Sequence, residues 1–292
     1  MSGLESFFRS GLINNRTNCM KLPISALLVV YNEEEVMNRC LSSISDIVDE
    51  VIVVHDGPCT DDTLQIAKQY GCQVHIWQKK GNAEHHRSAL TALAKNEWVL
   101  QIDADEYLSE QARAELSEHI ISKYDGVDFY WPIWYNNQYF SYGYKRILYK
   151  KSKFYHIACN HEYMKPIDTT VITHRTEALL EHKPKRNHFE PGSLKKRLIP
   201  RAKIHAQRLT VPFGAIEKWN CSLKDWEWHQ RFRMNHPLLL GVLGTFCLNL
   251  AINLSKFIRF RRAFYLRSAY ILSIWNASVY WFYFLESRKV RT

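Results

Sequence analysis

The chain has 292 residues, of which 46% are hydrophobic and 23% are charged. This composition supports one large folded domain, or one domain with an appendage, and it excludes a globally disordered chain. The formal net charge of +10 predicts an anionic partner, either a nucleic acid, an acidic membrane or a phosphorylated substrate. Seven cysteines without a CxxC pair exclude a zinc framework and a disulfide scaffold, and they predict a reducing, cytoplasmic environment.

The segment from residue 22 to residue 102 alternates short apolar runs with helical patterns. Buried strands are predicted at residues 24–30, 51–54, 73–77 and 98–102. Helical patterns lie between these strands, at residues 36–44, 64–70 and 83–95. This rhythm predicts an α/β fold with a mostly parallel sheet and helices on both of its faces.

Acidic side chains follow three of the four predicted strands. Glu33 follows the first strand, Asp56 the second, and Asp103 with Asp105 the fourth. Parallel strands end at one edge of a sheet, where ligands of open α/β sheets bind. Asp103 and Asp105 are two residues apart, so an extended backbone points both to the same side, and hard cations such as Mg²⁺ or Mn²⁺ prefer such oxygens. The sequence therefore favours a metal site that holds a phosphorylated ligand, and the alternative is a polar strand end that caps the next helix.

The middle of the chain contains a further helix and an aromatic segment. The helical pattern covers residues 107–122, and Asp61 with Asp62 is predicted to cap the helix after the second strand. Residues 129–135 are predicted as core and edge strands, or as a stacking surface for a sugar ring. A hairpin-like stretch over residues 146–156 follows.

The C-terminal part changes in character. Residues 183–208 carry nine Lys and Arg against one Glu, which fits a solvated face or attraction to anionic lipid. The uncharged segments 237–255 and 268–285 are each about long enough to span a bilayer. Positive clusters flank both segments, so two spanning helices would place one cluster on the wrong side. We expect an amphipathic helical appendage that lies on the cytoplasmic face of a membrane; two transmembrane helices or a soluble helical subdomain are the alternatives.

The motifs in their order resemble the family 2 glycosyltransferases. The resemblance covers roughly residues 22–185 and rests on four stretches, 28–33, 51–57, 81–87 and 102–106. More narrowly, Asp103-Ala104-Asp105-Glu106, with the later Arg146-Ile147-Leu148 and His161-Glu162, is similar to the lipopolysaccharide-core glucosyltransferase-like branch. The resemblance implies a GT-A fold, a nucleotide-sugar donor and a divalent metal.

The resemblance also implies roles for the nucleotide end of the site. Tyr31 and Glu33 would line the pocket for the base and ribose, and Asp56 would hydrogen-bond the base. Arg87, in the helix after the third strand, would face the donor. The chain departs from the family at His55, where most relatives have a second acid, and this leaves the base preference open.

The same resemblance implies roles at the sugar end. Asp103 would approach the ribose or the metal, and Asp105 would coordinate the metal that bridges the diphosphate. Transfer with inversion needs a base near the acceptor hydroxyl, and Glu162 is the candidate, with a structural acid as the alternative. His161 could orient Glu162 or bind diphosphate, whereas we do not expect His182 to be a metal or phosphate ligand.

The sequence predicts four parts and a membrane-associated inverting glycosyltransferase. The parts are an N-terminal arm at 1–21, a GT-A domain at 22–185, a basic linker at 186–235 and a helical membrane-associating segment at 236–292. The expected partners are a nucleotide-sugar donor, a glycan or glycolipid acceptor and an anionic membrane surface. A nucleotidyltransferase and a non-catalytic membrane protein with a degenerate transferase domain are the alternatives; a nucleic-acid-binding protein is disfavoured because no recognised binding motif is present.

Overall fold

The computed structural model describes residues 21–135, 138–157, 164–184, 196, 198–216, 218–227, 238–260 and 264–289. Eleven strands lie in these ranges: β1 Leu22–Val30, β2 Val48–Asp56, β3 Gln73–Trp77, β4 Trp98–Gln101, β5 Glu106–Leu108, β6 Gly126–Tyr135, β7 Gln138–Lys150, β8 Phe154–Ile157, β9 Lys165–Pro166, β10 Thr173–His182 and β11 Lys218–Trp219. The helices with assigned bounds are α1 Glu34–Ser42, α2 Thr63–Gln69, α3 Glu84–Leu93, α4 Glu110–Ile121, α5 Ile199–Leu209, α6 Leu238–Phe260 and α7 Phe264–Lys289.

An eight-stranded, mostly parallel sheet organises the fold. Its strand order is β3-β2-β1-β4-β7-β6-β10-β5, and β8, β9 and β11 form a separate three-stranded sheet. Strands β1, β2, β3 and β4 pair in parallel, whereas β7 runs antiparallel to both β4 and β6. The predicted α/β architecture with helices flanking the sheet is confirmed, as are the four predicted strands and the three helices between them.

Two apolar layers cover the two faces of the sheet. Alternation along β1 sends Ala26 and Leu28 into the cluster under α1 and α4, and Leu27 into the cluster under α3. A parallel strand covered on both faces is apolar at nearly every position, which is why the β1 run has no polar alternation. Between these layers β1 to β4 run in the same direction, so their polar ends meet at one edge of the sheet.

Two local predictions were wrong. Residues 107 and 108 do not begin the predicted helix, because they belong to β5, which pairs antiparallel with the end of β10. Helix α4 begins only after Ser109, whose hydroxyl accepts a hydrogen bond from the Ala112 amide at 3.2 Å. The predicted hairpin at 146–156 is also absent: β7 pairs with β4 and β6, and β8 pairs with β9 and β11.

The C-terminal helices pack on the domain in an asymmetric way. Trp275 and Val279 of α7 are buried in one cluster with Ala202 and Leu209 of α5, and with residues of β8. Helix α6 packs along α7, and exposed side chains among those described on it include Leu248, Ile252 and Ile258. Among the described residues, no helix is both long enough and apolar enough to cross a membrane.

Candidate active site

The carboxyl ends of β1, β2 and β4 bring the predicted site residues to one rim. These three strands are neighbours in the order β2-β1-β4, and all run in the same direction. The rim therefore carries Tyr31 and Glu33 after β1, Asp56 at the end of β2, and Asp103 and Asp105 after β4. The strand order confirms the prediction that these strand ends meet at one edge of the sheet.

Asp103 is held between two buried cations. Its Oδ1 accepts a hydrogen bond from Arg87 Nη2 at 2.7 Å, and its Oδ2 accepts one from Lys145 Nζ at 2.7 Å. Burial alone would raise the pKa of Asp103, but Lys145 and Arg87 hold that pKa well below its usual range. Both oxygens of Asp103 thus contact cations that the chain itself supplies.

Lys145 also binds the third acid of the motif. Its Nζ lies 2.7 Å and 2.8 Å from the two carboxylate oxygens of Glu106, whose side chain is only 1% exposed. Burial lowers the pKa of Lys145, yet Asp103 and Glu106 outweigh it and the net pKa is raised. The Glu106 carboxylate accepts a further hydrogen bond from the Asp103 amide at 3.1 Å, so Lys145 and Glu106 together fix the turn after β4.

Arg87 reaches this turn from the first half of α3. Its pKa is raised because Asp103, Glu84 and Glu106 together outweigh its burial. With its amide oxygen turned toward the guanidinium, Gln101 accepts from Arg87 Nη1 at 2.9 Å and from Nε at 3.0 Å. The guanidinium is therefore locked between β4 and the turn that follows it.

Asp105 has a different environment from Asp103. Its Oδ2 lies 3.5 Å from Nε2 of His182, because β10 pairs with β5 in a register that places His182 opposite Glu106. The ring of His182 packs against Trp131 with centroids 5.0 Å apart. Nδ1 of His182 is buried and has no hydrogen-bond partner among the described residues.

A divalent metal fits the Asp105 side of the motif better than the Asp103 side. One carboxylate and one imidazole face each other there. The carboxylate is an oxygen ligand of the kind that Mg²⁺ and Mn²⁺ prefer, and phosphate oxygens and water would complete such a site. On the other side the Lys145 ammonium contacts both Asp103 and Glu106 and neutralises them. Within the described ranges, no three His, Cys, Asp or Glu side chains form a ready-made metal cage.

Asp56 anchors the loop between β3 and α3. Its carboxylate accepts hydrogen bonds from the backbone amides of Lys80 at 2.6 Å and Gly81 at 2.8 Å, and from Nε2 of His86 at 2.7 Å. Burial raises its pKa, but these donors outweigh it and the net pKa is lowered. Since a carboxylate has about four acceptor directions, roughly one remains for a base.

Tyr31 and Glu33 lie at the outer part of the rim. Tyr31 is 42% exposed, and Lys79 Nζ donates a hydrogen bond to its hydroxyl at 2.9 Å. The Glu33 amide donates to Thr63 Oγ1 at 2.6 Å, and its carbonyl accepts the first amides of α1. Their roles toward a base and ribose stay predictions.

The side chain of Asp61, and not that of Asp62, hydrogen-bonds the backbone at the start of α2. Asp61 Oδ1 accepts from the Thr63 amide at 3.0 Å, and its Oδ2 accepts from the Glu34 amide at 3.2 Å. Asp62 occupies the N-cap position but makes no side-chain cap. Asp61 therefore links the first turns of α2 and α1, and half of the capping prediction was wrong. Glu162 and His161, the predicted base and its neighbour, lie outside the described residues.

Residues 25–177 match the glycosyl transferase family 2 domain, and this range is more than half of the chain. The chain belongs to glycosyl transferase family 2. The matched range contains Tyr31, Asp56, Asp103, Asp105 and Lys145, so most of the rim described above lies within the family 2 domain.

Relatives of this family 2 chain include an uncharacterized glycosyltransferase of Rickettsia felis, which is 40% identical over 102 residues, or 35% of each chain. The glycosyltransferase SunS of a Bacillus subtilis prophage is 33% identical over 97 residues, which are 32% of this chain and 23% of SunS. These matches span about a third or less of the relatives' length. Residues 1–349 of S. aureus TarS superpose over 93% of this chain and 91% of that structure, with a TM-score of 0.42 and 15% identity.

Sequence reasoning missed two side chains of the site and doubted a third. Lys145 lies on β7 two residues before the run of Ile147, Leu148 and Tyr149, which are all fully buried. A lysine so close to an apolar run within one strand is the signal that could have identified a buried cation. His86 gave no such signal, and His182, which we did not expect at a metal or phosphate, faces Asp105.

Proposed function

We propose that this family 2 chain transfers a sugar, with inversion, from a nucleotide-sugar donor to a hydroxyl of a glycan acceptor. The observation that carries the proposal is the difference between the environments of the two aspartates after β4. Asp103 holds two buried cations, whereas Asp105 turns toward His182 and remains available to a ligand. A site of this kind suits a diphosphate that binds through a divalent metal, because Arg87 and Lys145 neutralise Asp103 and Glu106 while the Asp105 carboxylate stays available as an oxygen ligand.

We assign the divalent metal to Asp105 and His182. When bound, the metal would offset the negative charge that grows on the diphosphate leaving group. Arg87 and Lys145 keep Asp103 ionised, which leaves that carboxylate able to accept a hydrogen bond from a ribose hydroxyl through its exposed edge. Tyr31, Glu33 and Asp56 would receive the nucleoside, as the family resemblance implies.

Glu162 remains the proposed base for the acceptor hydroxyl, in a direct displacement at the anomeric carbon. We propose that the acceptor is a lipid-linked glycan of the lipopolysaccharide-core type. The support for a lipid-borne acceptor is the proximity of the transferase domain to an apolar helical surface at the C-terminus.

That surface is the outward face of α6, and we propose that it rests on the cytoplasmic face of an anionic membrane. Five large aliphatic side chains on this helix are substantially exposed: Leu243, Leu248, Ile252, Leu254 and Ile258. The helix contains no acidic residue, and its only charged residues, Lys256 and Arg259, lie in its last turns. An apolar face with cations at one end is typical of a helix that lies in a membrane interface.

A thermal-shift panel of nucleotide sugars tests the donor assignment. We expect at least one nucleotide sugar to raise the unfolding temperature more in Mn²⁺ than in EDTA, because ligand binding stabilises the folded state. Asp105→Asn should lose the Mn²⁺-dependent part of the shift, whereas Asp168→Asn, in an exposed turn, should keep it. No stabilisation by any nucleotide sugar would contradict the proposal.

Glu162→Gln separates donor binding from transfer. The amide keeps the size of the side chain but cannot accept the acceptor proton, so the donor-induced shift should persist while sugar transfer is lost. Transfer at the wild-type rate by this variant would exclude Glu162 as the base.

A further inference from the structure

We propose that His55 is a positioning residue that holds the first two strand-end loops of the site in one arrangement. The consequence for donor binding rests on the proposed function, whereas the positioning is a property of the chain alone. His55 is fully buried near the end of β2, in register with Val30 of β1.

Both ring nitrogens of His55 are used by the backbone. Nε2 accepts a hydrogen bond from the Asn32 amide at 3.1 Å, and Nδ1 lies 2.7 Å from the carbonyl oxygen of Gly57. An amide can only donate and a carbonyl can only accept, so the ring carries its proton on Nδ1 and is neutral. One side chain therefore joins the loop after β1 to the loop after β2.

Each of the two joined loops contains a residue with a positive backbone φ angle. Asn32 has φ of 52°, which is uncommon for a residue with a side chain, and Gly57 has φ of 101°. The side chain of Asn32 also makes two hydrogen bonds with Thr60. Its Nδ2 donates to Thr60 Oγ1 at 2.7 Å, and its Oδ1 accepts from the Thr60 backbone amide at 3.1 Å. The Gly57 amide donates to the carbonyl of Trp77 at 2.9 Å, which ties the second loop to the end of β3.

An acid at position 55 could not make the same pair of contacts. A carboxylate can accept from the Asn32 amide, but it has no proton to donate to the Gly57 carbonyl and would repel that oxygen. It would also add a negative charge next to Asp56, at a rim proposed to receive a diphosphate. A neutral histidine supplies one donor and one acceptor and leaves the charge of the rim unchanged.

The loops that His55 joins carry the residues proposed to receive the nucleoside. Tyr31 and Glu33 flank Asn32, and the Tyr31 ring packs on the His55 ring with centroids 5.6 Å apart. Asp56 follows His55 directly. Loops that are held in place before the donor arrives lose less conformational entropy on binding, so His55 contributes to donor affinity without touching the donor.

Hydrogen exchange measured by mass spectrometry tests the positioning directly. In His55→Asn the shorter amide can still donate to Gly57, but it cannot reach Asn32. We expect exchange at residues 31–34 to accelerate about threefold to tenfold, which corresponds to the loss of one hydrogen bond, with less change at 57–60. In His55→Asp both loops should accelerate. His75→Asn, on the neighbouring strand β3, is the matched control and should change neither loop. Unchanged exchange in both His55 variants would overturn the proposal.

A measurement on the wild-type chain does not depend on whether the variants fold. Nitrogen-15 NMR should show the His55 ring neutral at pH 7, with Nδ1 protonated and Nε2 unprotonated. The opposite tautomer, or a doubly protonated ring, would be incompatible with the two contacts and would overturn the proposal.

Calorimetry with UDP, GDP, ADP and CDP, each with Mn²⁺, tests the consequence for the donor. The nucleotide that binds the wild type should bind His55→Asn roughly tenfold more weakly, and His75→Asn unchanged. Equal affinity in His55→Asn, together with faster exchange, would overturn the role in donor binding. If no nucleotide binds the wild type, the proposed function fails, and the exchange and NMR results still decide whether His55 positions the loops.

Discussion

Lys145 is the residue on which the geometry of the acidic turn depends most. It is the only described cation that contacts both Asp103 and Glu106, and its own side chain is 9% exposed. A buried charge cluster of two cations and two acids is stable only while each charge keeps its partner. The same cluster gives the acids of one motif different environments, since Lys145 binds Asp103 and Glu106 whereas Asp105 faces His182.

Lys145→Met should therefore be strongly destabilising. Removing the ammonium leaves Glu106 buried without its cation, and loss of one partner of a buried pair costs about 3–5 kcal/mol. Urea denaturation followed by circular dichroism measures the free energy of unfolding. Lys95→Met, which removes an exposed pair with Asp49, is the control and should leave the unfolding midpoint nearly unchanged. An equal effect of the two substitutions would mean that the Lys145 cluster does not stabilise the fold.

At the scale of elements, the close approach of β6 to β8 rests on one glycine. A Cβ at Gly126 would lie 2.6 Å from Phe154 Cζ and 3.0 Å from Cε2, and Phe154 is fully buried. The first residue of β6 must therefore lack a side chain if the β8 aromatic ring is to pack under the sheet.

Gly126→Ala should lower the free energy of unfolding by about 1–3 kcal/mol, because an inserted methyl group in a packed core forces its neighbours to shift. Gly214→Ala is the matched control: nothing lies within 4 Å of its Cβ position, and its φ is not positive. The control should change stability by less than about 0.5 kcal/mol, or raise it slightly. A neutral Gly126→Ala would show that the Phe154 ring is not confined there.

The elements also show what could be predicted from the sequence and what could not. Strands β1 to β4 were predictable because each is a short run whose own apolar and β-branched residues indicate a buried strand, whatever its partners in the sheet. Strand β5 has three residues and exists only because β10, more than 70 residues later, pairs with it. The same long-range pairing brings His182 to Asp105, and no local pattern encodes such a contact. Lys145 reaches Asp103 across the β4–β7 pair for the same reason.

At the scale of the whole molecule, the two apolar C-terminal segments have different environments. The segment that contains α7 contributes Trp275 and Val279 to a core shared with α5 and β8, whereas five aliphatic side chains among the described ones of α6 are exposed. Deleting residues 236–292 would therefore expose that core as well as remove the proposed membrane contact. Substitutions on the outward face of α6 are the better test.

A triple variant, Leu248→Gln, Ile252→Gln and Ile258→Gln, should lose binding to vesicles of phosphatidylcholine and phosphatidylglycerol. Each buried aliphatic side chain contributes roughly 1.5–3 kcal/mol, so the bound fraction in a sedimentation assay should correspond to an affinity reduced by more than about tenfold. The control is Ile76→Gln, Ile121→Gln and Ile172→Gln, which replaces three exposed isoleucines of the transferase domain. Sedimentation of the α6 variant to the same extent as the wild type would contradict the membrane contact.

The most direct test of the whole account is the release of nucleoside diphosphate from a panel of sugar nucleotides, in the presence of Mn²⁺ and a lipid-linked glycan extract. We predict that the wild type releases nucleoside diphosphate from at least one donor. Asp105→Asn should reduce the rate by at least about a hundredfold, as removal of one group that stabilises charge in the transition state does. The control Asp168→Asn should leave the rate unchanged. Wild-type release by Asp105→Asn, or no release from any sugar nucleotide by the wild type, would contradict the assignment of this site to glycosyl transfer.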